Sequence, residues 1–249
     1  MERGRRRRSD DCRTRLTSWR KVGVCNAIAL FQAVLTEVGA EFERFTVNLN
    51  LSAIPERVQF VGREKELVEM HRLLHGHTAR SIVVLHGLGG IGKTQLAMEY
   101  AMGHKDKYTA IFWMNANDED SLKLSFLNVA KQVLRHHPEA RMLTSVDLEG
   151  DLDAVVDAVK TWLGSSGNEH WLMIYDNYDN PKQPGTKDPT AMDIRRFLPE
   201  CDHGSIIITT RSQQVNLGRR IQVQKLPDVQ ESLQILSNTS GRKGIMNGM

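Results

Sequence analysis

Cysteine is scarce in this chain: three residues in 249, too few for a disulfide framework. Cys12, Cys25 and Cys201 are scattered, and no two stand at metal-ligand spacing, which fits a reducing compartment. Long apolar runs are missing too. Nothing approaches the ~20 residues that a membrane-spanning helix needs. The nearest candidate, Val22–Leu35, follows a basic stretch like a secretory leader, but Asn26 and Gln32 interrupt it. No Ser-hydrolase elbow occurs. His71 and His75 stand four apart, a spacing that can chelate zinc, but the string is HRLLH and lacks the metalloprotease Glu. His71, His75 and His77 therefore read as an ordinary cationic helix end, and His136–His137 receive no role.

A net excess of basic charge is missing from the body of the chain. The formal net charge is +3, yet residues 1–21 hold nine Lys and Arg against three acidic residues, leaving the remainder at net −3. The body is not a basic nucleic-acid surface, and the mild basic patch over Arg211–Arg220 has no nucleic-acid motif beside it. The tail 1–21 reads as solvated and disordered, with nuclear or organelle import as the other reading. The expected location is cytoplasmic.

What the chain does have is SIVVLHGLGGIGKTQLA over residues 81–97. Ile82–Leu85 reads as a buried parallel strand. Gly87, Gly92, Lys93 and Thr94 follow at phosphate-loop spacing, with Gly89 and Gly90 between them. Glycines let the backbone wrap closely, so that its N–H groups can point at phosphates. Lys93 can reach the β- and γ-phosphates, and the Thr94 hydroxyl can ligate Mg²⁺. Gln95–Met102 then opens a helix whose N-terminus favours anions.

Strand and helix patterns alternate around this loop. Strands are expected at Ser81–His86, Ala110–Asn115, Trp171–Asp176, Ser205–Thr210 and Ile221–Gln224. Helices are expected at Glu64–Leu74, Lys93–Met102, Ser121–Leu134, Leu152–Leu163, Met192–Phe197 and about Asp228–Leu236. Such alternation implies a mainly parallel sheet covered on both faces. Asn26–Phe45 reads as an amphipathic helix, Thr46–Pro55 as a linker, Asn180–Pro189 as a surface loop and 240–249 as a fraying tail. Trp113 and Trp171 read as core.

Two more strands end in chemistry. Trp171–Asp176 delivers a carboxylate of the kind that holds the Mg²⁺ water shell in phosphate-loop proteins. Gly204–Arg211 delivers Arg211, whose planar guanidinium matches phosphate oxygens and can separate ATP from ADP.

Together these residues resemble the NB-ARC domain of STAND P-loop NTPases, over roughly Gln59 to Leu236. Phe60–Val61–Gly62–Arg63–Glu64 looks like the family's opening motif, Gly87–Thr94 like its Walker A loop, and Asp176–Asn177 like the end of Walker B. Thr209–Thr210–Arg211 resembles its sensor strand, and the FWMNAN and WLMIYDN strings look most like fungal NOD-like receptor proteins. The resemblance implies a three-layer α/β sandwich on a five-stranded sheet, with the sensor strand between the Walker A and Walker B strands. It implies nucleotide contacts from Val61, Arg63, Gly87, Gly89, Gly90, Ile91, Gly92, Lys93, Thr94, Gln95 and Arg211, and Mg²⁺ on Thr94 and Asp176. On this basis the domain would span 57–238, after a helix and linker at 22–56 and before a tail at 239–249.

The implied function is an ATP/ADP-binding switch in intracellular defence or regulated cell death. Its protein partners would come through self-assembly or an effector. Asn177 stands where many P-loop ATPases carry a second carboxylate, so slow or no hydrolysis is expected. The family's GLPL-type and MHD-type motifs do not occur, so the expectation is a nucleotide core alone, either a natural short form or a truncated gene model. A genuine ATPase of AAA-like or transcription-regulator type, and a non-catalytic interaction fragment, are the competing readings.

Overall fold

Four runs of apolar residues form four buried parallel strands. In the computed structural model these are β1 (Ser81–His86), β2 (Ala110–Asn115), β3 (Trp171–Asp176) and β4 (Ser205–Thr210), with the bounds expected from sequence. A fifth, β5 (Arg219–Gln222), completes a sheet ordered β2-β3-β4-β1-β5, and every pairing in it is parallel. β5 begins two residues before the expected Ile221–Gln224. It lies at the sheet edge, where the exposed Arg219 and Arg220 pair with Val83 and Val84 through backbone alone. An edge strand needs no apolar run, so composition hid its start.

The structure describes residues 45–47, 60–75, 79–185, 187–226 and 229–240. The basic tail, the helix expected from Asn26 as far as residue 44, most of the linker and the C-terminal tail from residue 241 lie outside the described residues. All described residues belong to one unit that begins at Phe45. Phe45 and Val47 were expected in a helix end and a linker. Instead both are core residues. The Phe45 ring lies 6.0 Å from that of Trp162, and the Val47 N–H donates to the Thr109 carbonyl at 2.9 Å, beside the start of β2.

Alternation along the strands divides the core into two layers. Val83, Leu85, Ile174 and Ile207 face α1 (Glu64–His75) and α2 (Lys93–Gly103). Val84, Phe112, Met173, Tyr175, Ile206 and Ile208 face α3 (Glu119–His136) and α5 (Leu152–Leu163). The result is the three-layer α/β sandwich. Asp118 caps α3 by accepting the Ser121 N–H at 2.7 Å, and Asp151 caps α5 by accepting the Asp153 N–H at 2.8 Å.

A short helix α4 (Arg141–Thr144) was not expected. The helix expected at Met192–Phe197 is a 3₁₀ turn over Ile194–Phe197, opened by Asp193 and followed by Pro199. The last helix, α6, runs Val229–Ser240, longer than expected. Trp171 is fully buried, and its indole N–H donates to the Leu163 carbonyl at 3.0 Å. Trp113 is only half-buried, packed at the margin of the α1–α2 layer.

Among the described residues, no helix is long and apolar enough to cross a membrane, and no group of three or more His, Cys, Asp or Glu is placed to hold a metal ion.

Candidate nucleotide-binding site

Register brings the chemistry together. β4 lies between β1 and β3, with His86 opposite Thr210 and Tyr175 opposite Ile208. The residues just past these pairs therefore gather at one edge: Gly87 after β1, Arg211 after β4, and Asp176 at the end of β3. Ligands of open parallel sheets bind at this carboxyl edge.

A cavity of about 440 Å³ opens there, lined by Gly89, Gly90, Gly92, Lys93, Thr94, Gln95, Asn177, Asp179, Thr209 and Arg211. Six of the expected loop residues are in that lining, and so is Arg211. Gly87 shapes the loop from below. Its φ is +155°, and a Cβ there would fall 2.5 Å from the Val223 carbonyl oxygen. Gly90 (φ +73°) and Gly92 (φ +95°) take left-handed conformations that L side chains rarely adopt. Gly92 also precedes α2 without any side-chain cap. The first N–H groups of a helix have no intrahelical partners, so this end presents donors and a positive dipole to an anion.

Lys93 is 8% exposed, and its ammonium donates to the carbonyls of Gly87 (3.0 Å) and Leu88 (2.9 Å). Burial lowers its pKa below the ordinary lysine value. Arg211 acts in the same direction, while Asp179 and Asp176 oppose it.

Thr94 and Asp176, the two expected Mg²⁺ ligands, are brought together: the Thr94 hydroxyl donates to Asp176 Oδ1 at 2.9 Å. Asp176 is nearly buried, and burial pushes its carboxyl above the usual range, against hydrogen bonds from Thr209 and Thr94. A hydroxyl and a carboxylate, both hard oxygen donors beside the phosphate loop, suit Mg²⁺ rather than a softer metal.

Arg63 and Ile91 are joined to each other. Arg63 immediately precedes α1 at φ +66°, with its side chain 7% exposed. Its Nη2 donates to the Ile91 carbonyl at 2.7 Å, and its Nη1 to Glu66 at 3.1 Å. It braces the loop from outside the cavity. Val61 is half-buried and outside the lining, beside Gly62, whose missing Cβ gives room to the Glu231 carboxylate of α6.

Two cavity residues went unassigned in the sequence. Thr209 donates its hydroxyl to Asp176 Oδ1 at 2.5 Å and accepts the Asn177 N–H at 3.0 Å. Its signal was the Thr pair closing an otherwise apolar strand. Asp179 accepts both the Arg211 backbone N–H, at 2.6 Å, and the Arg211 Nε. These two residues are 32 apart in sequence, so no local pattern pairs them. Asn177 takes a left-handed conformation (φ +66°) and aims its amide at Asp176 Oδ2, 3.4 Å away.

No protein-family profile matches the chain. A nucleotide-binding leucine-rich repeat (NLR)-like protein of Hyaloscypha variabilis is 25% identical to it over 200 residues, 75% of this chain. The chain spans 19% of the length of that relative. Among solved structures, Cdc6p from Pyrobaculum aerophilum covers 79% of this chain and 54% of its own (TM-score 0.46, 13% identity). PCH-2 of C. elegans covers 75% of this chain and 46% of its own (TM-score 0.29, 11% identity). The NLR-like relative agrees with the resemblance to NB-ARC domains that the motifs carry.

Proposed function

We propose that this chain is the nucleotide-binding core of an NLR-type signalling switch, holding ATP or ADP and turning it over slowly or not at all. One observation carries the reading. Lys93, Thr94 and Arg211 line a single cavity at the uncapped N-terminus of α2, and Asp176 accepts a hydrogen bond from Thr94 at its wall. Backbone donors, an ammonium and a guanidinium around one space form a cradle for a polyphosphate.

Thr94 and Asp176 would hold Mg²⁺, which when bound neutralises phosphate charge. The protein's own part is to fix the phosphates on the loop and to present Arg211 to the outermost one. Asn177 is an amide and cannot accept a proton from water, which supports slow turnover. The defence or cell-death role and the assembly with protein partners rest on the resemblance, and the relative's name supports only the NLR-type reading.

Asp179 is a carboxylate in the cavity lining, and this favours a second reading, a genuine ATPase. One experiment separates the two. The chain is purified, any bound nucleotide identified, and hydrolysis measured with Mg²⁺ beside Lys93→Ala. Bound ADP or ATP that Lys93→Ala loses, with turnover well below ~1 s⁻¹, supports the switch. Turnover at or above that rate, lost in the variant, makes the protein an ATPase. Wild-type protein that binds neither nucleotide ends both readings.

A further inference from the structure

Arg211 is the expected reader of the terminal phosphate, but its position depends on another residue. Its side chain is 62% exposed, and a long exposed arginine ordinarily samples many rotamers. Here two contacts define it. Asp179, only 19% exposed, takes the backbone N–H through Oδ1 and the side-chain Nε through Oδ2. On its other side the chain passes over the phosphate loop: a Cβ at Gly89 would fall 3.4 Å from Arg211 Cδ and 3.8 Å from its Nη1. The carboxylate holds the Nε edge while Nη1 stands beside Gly89.

We infer that Asp179 is a positioning residue that aims Arg211 across the phosphate loop and so sets the preference for nucleoside triphosphate over diphosphate. The inference rests on the nucleotide-binding reading above and deepens it.

The chemistry supports this assignment. ATP differs from ADP by one terminal phosphoryl group, and a guanidinium binds such a group best when its fork is already oriented. The start of α2 and the reach of Lys93 to the β-phosphate act on groups that both nucleotides carry. A tether on Nε removes the entropy of ordering Arg211 at the moment of binding, and only a ligand that reaches Arg211 benefits. Gly89 belongs to the same arrangement, because a side chain there would crowd Arg211.

The test measures ATP and ADP affinities separately, by displacement of a fluorescent nucleotide, on the full chain. Asp179→Asn is close in shape, but its amide cannot serve both Arg211 donors, since one of its polar atoms is itself a donor. The expected result is a loss of ATP affinity of about tenfold, the scale of one charge-assisted hydrogen bond, with ADP affinity held within about twofold. Arg211→Ala is expected to do the same, and the double variant to lose no more than either single one, since the two residues act as a unit.

An unchanged ATP-to-ADP ratio in Asp179→Asn overturns the inference. So does a gain in ATP affinity, which would make Asp179 a competitor for Arg211. So does parallel loss of both nucleotides, the mark of a purely structural residue. A wild type that binds neither nucleotide removes the functional reading and the inference together. A wild type that binds both, beside a variant whose ratio stays put, removes the inference alone.

Discussion

Gly87 shows how narrow the tolerance is at single residues. The chain leaves β1 there and must turn sharply under the carbonyl of Val223. The Val223 N–H in turn donates to the His86 carbonyl at 2.8 Å, pinning the segment after β5 against the loop. A methyl group at Gly87 would enter backbone, which cannot move aside as a flexible side chain can. Gly87→Ala is expected to destabilise the fold by about 1–3 kcal/mol, from overpacking and a disfavoured φ, and to weaken nucleotide binding. Urea unfolding followed by circular dichroism checks the first part. A variant as stable as wild type would mean that the loop relaxes freely. Arg63 is the counterpart outside the cavity. Its bond to Ile91 ties the segment before α1 to the loop.

Between elements, the most unusual contact joins α1 to the end of α2. His71 stacks on His104 with centroids 4.5 Å apart, His104 stacks on Tyr100 at 4.5 Å, and His75 lies 4.6 Å from His71. The Tyr108 hydroxyl bonds to both Tyr100 (3.2 Å) and His75 (3.3 Å). His71 Nδ1 is buried with no hydrogen-bond partner among the described residues. Burial lowers the pKa of His71 and His75 below the ordinary 6.5, and each is lowered further by its neighbours: His104 and Lys107 for His71; His71, His104, Lys107 and His170 for His75. The folded state therefore prefers the neutral rings, while the unfolded chain takes up protons first as pH falls. The stack's contribution is complete above pH 6.5 and is lost progressively as pH drops through 6.5 toward the folded values. The expected outcome is a lower urea midpoint at pH 5.5 than at pH 7.5, with a smaller difference in His71→Asn. An equal pH dependence in that variant would place the effect elsewhere. The zinc spacing noted for His71 and His75 thus belongs to a ring stack between two helices.

For the whole molecule, the sheet order decides what the loop can do. Three strand ends from separate parts of the sequence meet only because β4 inserts between β1 and β3. A polyphosphate bound across them would tie β1, β3 and β4 at one edge, and a ligand that binds only the folded state stabilises it by mass action. ATP with Mg²⁺ at a hundred times its Kd is expected to add about 2.7 kcal/mol of stability, seen as a raised melting temperature. Lys93→Ala should show no such rise. A wild type whose melting is indifferent to nucleotide would contradict the proposed function.

Much of this was legible because buried parallel strands read as uninterrupted apolar runs, and phosphate loops need glycine at fixed spacing. The bounds of β1 to β4, and the meeting of Thr94 with Asp176, follow from those constraints. β5 departs from its expected bounds because an edge strand pairs through backbone, whatever its side chains. The core positions of Phe45 and Val47 are not legible locally because their partners, Trp162 and Thr109, lie far along the chain.

The sequence by itself determined the glycine-rich loop after β1, since a helix N-terminus, close-wrapping glycines and Lys93 are local features that act over a few residues. Only the tertiary structure decided what surrounds it. Arg63 became a brace, Thr209 a partner of Asp176, and Asp179 the holder of Arg211. Those pairings join residues 28 to 33 positions apart. Side chains so distant meet through strand order and register, which no local spacing encodes.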